Sequence, residues 1–117
     1  MGLPMQHINQ QTNRRSSIRK PARQSVQLHC RRGALGLGTD LASGFLDVSE
    51  GGVQLIATEP MQPGDEVEIV LEGHGIRGPI RRMGEVRWVL PLDGSECRVG
   101  VRFQRLITYR DVQTVSR

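Results

Sequence analysis

The residues best equipped to do chemistry in this chain lie in two short stretches. The first, "NRRSSIRKPARQ", carries Arg14, Arg15 and Arg19, the latter two spaced as R-x-x-x-R. A guanidinium is a planar fork of N–H donors that fits phosphate oxygens, or the O6/N7 edge of a guanine, in a way that lysine does not. The second, "DVSEGG", follows some thirty residues later and holds Asp47, Ser49 and Gly52. These supply a carboxylate acceptor, a hydroxyl and a position with no Cβ to hold a flat ligand away. Taken singly, each stretch has an ordinary reading. The first is a solvated basic tail, and the second is a turn in which Asp and Ser bond local amides and the glycines supply positive φ.

Other chemistries fail on spacing. The serine of "DVSEGG" has Asp47 where a nucleophile elbow needs glycine. "GALGLG" lacks the strand–turn–helix setting of a dinucleotide fingerprint, and no phosphate-binding P-loop motif occurs. His29 and Cys30 are adjacent, so a strand would point them to opposite faces, a poor start for a metal site; His7 and His74 fall in loops. A non-enzyme with no catalytic residue, metal or cofactor is the expectation.

Charge narrows the partner. The net charge is +4, and residues 14–23 alone contribute +5, so residues 24–117 sum to −1. Cationic character concentrated in one arm suits a compact anion better than a long polyanion. The chain has one Trp, one Tyr and two Phe, too few to stack a run of bases, so neither DNA nor RNA is expected. No run approaches the ~20 apolar residues that span a bilayer, and "MGLPMQHINQQTN" has no hydrophobic signal core, so no membrane insertion is expected. Cys30 and Cys97 sit in separate segments and read as buried thiols in a reducing cytosol.

The elements that must position these residues follow from a period of two. "SVQLHCR", "GFLDV", "GVQLIAT", "DEVEIVLEG", "GEVRWVL" and "CRVGVRF" alternate apolar and polar positions and are separated by turn residues, "QPGD" and "PLDGSE" among them. Six short strands with no long helix between them predict an all-β antiparallel sandwich or small barrel, and closure into a barrel would remove the open edges of such short strands. The tail "ITYRDVQTVSR" predicts a short helix capped by Thr108 that packs Val112 and Val115 against the barrel end. Alternation through "GEVRWVL" places Val86, Trp88 and Leu90 together, which makes Trp88 a core residue and leaves Arg87 solvated on the opposite face. Gly100 reads as a barrel bend, and Lys20 and Arg23 as sources of general attraction. The expected organisation is a disordered leader over 1–13, then a single domain over 14–117. That domain comprises a flexible basic arm (14–23), the barrel (24–107) and the tail (108–117).

In this order the two stretches resemble the PilZ-domain signature: R-x-x-x-R ahead of the first strand, then [DN]-x-S-x-x-G between strands two and three. "RKPAR", "MQPGDEVEI", "GEVRW" and "RVGVRF" resemble further landmarks of that family in the same sequence order, so that the likeness spans roughly residues 14–107. The resemblance implies a six-stranded split barrel that serves as a bacterial, cytoplasmic receptor for the second messenger cyclic di-GMP and relays its level to a protein partner. On that reading Arg15 and Arg19 take phosphate oxygens and guanine O6/N7, and Asp47 accepts from the N1–H and N2–H₂ edge. Ser49 adds a hydroxyl hydrogen bond, and Gly52 admits the flat ligand. Arg14 resembles the residue of those domains that bind an intercalated dimer, which implies two cyclic di-GMP molecules per domain. The tryptophan matching Trp88 sits beside the ligand in some members. The arm is expected to be loose until the ligand orders it. The alternative is a PilZ-like interaction adaptor with weak or no nucleotide binding.

Overall fold

Alternation of apolar and polar residues carries directly into the computed structural model, which describes residues 18–33 and 36–117. Among these residues seven strands form one antiparallel sheet: β1 (Lys20–Pro21), β2 (Val26–Arg32), β3 (Ala42–Ser49), β4 (Gly52–Ala57), β5 (Glu66–Gly73), β6 (Ile80–Pro91) and β7 (Cys97–Phe103). Their order across the sheet is β1-β3-β4-β7-β6-β5-β2. The six expected strands are all present. The seventh is β1, which the sequence reading left inside the arm.

The sheet curls into a half-barrel around an aliphatic core. Val48, Val53, Leu55, Val67, Ile69, Val86, Val99 and Val101 are essentially inaccessible to solvent on its inner face. Helix α1 (Tyr109–Val115) closes one end, with Val112 and Val115 buried as expected. Its start is a capping box. The Thr108 hydroxyl accepts from the Asp111 N–H at 3.0 Å, and the Asp111 carboxylate accepts from the Thr108 N–H at 3.3 Å. Near the β2–β3 connection the Leu41 N–H donates to the Cys30 carbonyl at 2.7 Å, and beyond that contact a groove of about 460 Å³ separates the two strands.

The arm is partly built into the sheet. Lys20 and Pro21 pair with Val48 and Asp47, and the Ala22 N–H donates to the Leu46 carbonyl at 3.1 Å. On its other side this segment meets the tail. The Arg23 N–H donates to Val115 O and the Arg117 N–H to Pro21 O, both at 2.8 Å, with a β-bridge between Ala22 and Ser116. Lys20 and Arg23 therefore do more than attract anions. Lys20 donates to the Tyr109 hydroxyl at 3.3 Å while lying over that ring, and Arg23 donates through Nε to the Ser116 carbonyl. In this structure residues 19–23 are thus held against β3 and the tail. Arg14, Arg15 and the leader lie outside the described residues.

Candidate functional site

Register decides which side chains share a face. Val48, Val53, Val101 and Val86 are successive cross-strand partners and form an inward row. The adjacent rows on either side point outward: Asp47–Gln54–Gly100–Trp88, and Ser49–Gly52–Arg102–Glu85. The second motif is thereby spread along the convex face of the half-barrel, beside the strand that continues from the arm.

Arg19 and Asp47, the two expected jaws, meet. Arg19 Nη1 lies 2.8 Å from Asp47 Oδ1, with side-chain exposures of 35% and 20%. Sheet pairing makes this contact possible, because β1 begins one residue after Arg19 and lies against β3 at Asp47. Ser49 is buried, and its Oγ accepts from the Gly51 N–H at 3.2 Å, so the hydroxyl proton remains available to a further acceptor. Neither Gly51 nor Gly52 has a positive φ. Gly52 is required by packing: a Cβ there would run into the Val101 carbonyl oxygen of β7.

Trp88 is not a core residue. Val86 pairs with Val101 and Trp88 with Gly100, so two steps along β6 match one step along β7, and Arg87 is the extra residue of a β-bulge. The bulge reverses the phase of the alternation. Val86 stays buried while Trp88, 37% exposed, turns outward, and Arg87 shares its face instead of opposing it. Gly100 is the floor beneath the indole, not a bend; three ring atoms of Trp88 occupy the space that a side chain at 100 would need. Arg98 lies over the same ring, 5.9 Å from its centroid, and is anchored by two hydrogen bonds to Gln54 Oε1, at 2.6 and 3.0 Å.

A cavity of about 300 Å³ opens over this floor, bounded by Arg19, Ser49, Arg87, Trp88, Arg102 and Leu106. A second, of about 390 Å³, lies on the far side of the Arg19–Asp47 pair and is bounded by Lys20, Leu46 and Arg98. The arrangement offers a flat aromatic surface, one carboxylate and several guanidinium forks, suited to a planar base and an anion together. Arg87, Arg102 and Leu106 were missed in the sequence. The available signal was that "VRWV" places the apolar Val86 and Val89 three apart, an odd spacing that a regular strand cannot bury on one face.

The groups with shifted pKa values lie elsewhere and serve the fold. Burial pushes the Asp40 carboxyl up, but hydrogen bonds from the Cys30 and Ala42 N–H groups and from His29 outweigh it and hold the group below its ordinary range. The Cys30 thiol is pushed up to about 12 by burial, with the Asp40 charge adding to the effect. Cys30 and Cys97 are free and buried. Among the described residues no group of three or more His, Cys, Asp or Glu side chains gathers as metal ligands, and no helix is long and apolar enough to cross a membrane.

No curated protein gives a match to this chain. A family model described as "PilZ domain" matches residues 13–116, which takes in both motifs, all seven strands and the helix. With nearly the whole chain inside that match, the protein belongs to the PilZ domain family.

Proposed function

We propose that this PilZ domain is a cyclic di-GMP receptor that works by binding alone. The observation that carries the reading is the Arg19–Asp47 contact at the edge of a cavity floored by Trp88. It brings an arginine fork and a carboxylate together within reach of one base. Guanine presents acceptors on its O6/N7 edge and donors on its N1/N2 edge, so one purine can engage both groups. Asp47 reads the donor edge, Arg19 and Arg15 take the acceptor edge and phosphate oxygens, and the Ser49 hydroxyl donates to a phosphate. Trp88 stacks against a guanine face.

Arg14 and Arg15, outside the described residues, would complete the cationic wall. We infer about two ligand molecules per domain, because two stacked cyclic dinucleotides bring four phosphate charges that the additional Arg14 fork can serve. The basic N-terminal arm orders over the barrel on binding and presents a changed surface to a protein partner in a bacterial cytoplasm. Calorimetric titration with cyclic di-GMP, alongside GTP and single-stranded DNA, tests the reading. Saturable heat from the cyclic dinucleotide alone is expected, with amide shifts in NMR spectra around Arg19 and from Asp47 to Gly52. A silent titration, or unmoved amides in both loops, refutes it.

A further inference from the structure

The bulge in β6 does more than expose Trp88; it also delivers Arg87 to the cavity. Arg87 and Arg102 form the side of the cavity across from Arg19, and the described residues lining it include no carboxylate. Neither guanidinium is firmly paired. Among the described residues the one ionic partner of Arg87 is Glu85, at 3.4 Å with both side chains about half exposed, a contact of little energetic weight. Arg102 has Glu85 as its cross-strand neighbour but forms no ion pair among the described residues. On its other side stands Gly52, with no side chain to lean against. One acid thus faces two forks, and the surplus positive charge borders the space above Trp88.

We propose that Arg87 and Arg102 are a second anion-recognising wall that binds a phosphate of the dinucleotide, the one remote from Arg19. This rests on the cyclic di-GMP reading and deepens it. The ligand carries two phosphates on opposite sides of its ring, so a cavity with guanidinium groups on two walls matches it better than one with a single cationic arm. Placement on the rigid sheet also means that this wall needs no ordering step, unlike a contact made from a terminal arm. Glu85 competes with the phosphate for both forks and tunes the affinity downward.

The test is a calorimetric series with cyclic di-GMP on the full chain, each variant checked by thermal melt. Arg87→Ala and Arg102→Ala should each weaken binding by about 10- to 100-fold, the loss of one charge-assisted contact. Arg87→Lys should stay within about fivefold of wild type, since a point charge satisfies a phosphate but not a guanine edge. Glu85→Gln should tighten binding by a few fold. Arg19→Ala separates loss of the receptor site as a whole from loss of the second wall. If it abolishes binding while Arg87→Ala and Arg102→Ala remain within twofold of wild type, the receptor reading stands and the second wall is refuted. If Arg87→Lys fails as badly as Arg87→Ala, the phosphate assignment is wrong. A wild-type chain that binds nothing overturns the receptor reading itself.

Discussion

Gly100→Ala isolates the role of Trp88 without touching a charge. The backbone at 100 does not have positive φ, so alanine is conformationally allowed, and a residue with a side chain fits a strand interior at least as well as glycine, by about 0.5–1 kcal/mol. Its methyl, however, would occupy the space now filled by Nε1, Cε2 and Cζ2 of the indole. To regain ordinary van der Waals separation the ring must move by about an ångström, or swing off the strand and give up its position beneath Arg98. A base stacked on an aromatic side chain contributes about 1–3 kcal/mol, so losing that floor should weaken cyclic di-GMP binding by about 5- to 150-fold. Trp88 is the sole tryptophan of the chain, which makes its emission a direct report of ring position. The variant should show altered Trp emission, a melting temperature within a few degrees of wild type because lost indole contacts offset the gain over glycine, and weaker binding by calorimetry. Altered emission with undiminished affinity would refute Trp88 as the stacking surface. A collapsed melting temperature would refute the claim that the ring lies outside the core.

Other expectations are more local. Asp47→Ala should weaken cyclic di-GMP by about 10- to 150-fold, and cyclic di-AMP much less, because the donor edge that it reads belongs to guanine; equal losses for both nucleotides count against that role. The same substitution should change stability little in urea denaturation, since the Arg19–Asp47 contact is partly solvated and solvent screens it. Asp40→Ala should cost about 1–3 kcal/mol in that assay by leaving the Cys30 and Ala42 amides without their acceptor. Because the folded Asp40 carboxyl sits below its ordinary 3.8, its contribution is complete above that value and fades as pH falls through the folded value. The wild type should therefore lose its advantage over the variant in acid, and an advantage that grew with acidification would reverse the assignment. Cys30, its thiol raised to about 12 by burial, should resist thiol reagents at pH 8 until the protein unfolds; rapid labelling of the native state would show the seam near β2 to be open.

The parts of the fold legible in the sequence were those carried by local pattern. Period-two alternation located β2 to β7, and Thr108 ahead of the tail marked the helix start, because burial of one face and an N-cap are both written in nearby residue types. Strand β1 was not legible. Two residues, one of them Pro21, carry no strand pattern of their own and are held by β3 and the tail, both remote in sequence. The faces of Trp88 and Arg87 were read wrongly for a related reason. Alternation assumes an unbroken ladder, and one extra residue at Arg87 inverts every assignment after it. Gly52 and Gly100 were recognised as special, but the surfaces that require them, the Val101 carbonyl and the Trp88 ring, become neighbours only through cross-strand register.

The two ends of the described chain are stitched together, since residues 21–23 lie between β3 and residues 115–117. Neither end can fray alone: lifting residues 21–23 away breaks their bond to Leu46 of β3 and also the bonds that tie them to Val115 and Arg117. In hydrogen exchange the amides of Ala22, Arg23 and Arg117 should open as one cooperative unit, whose free energy is shared by both termini.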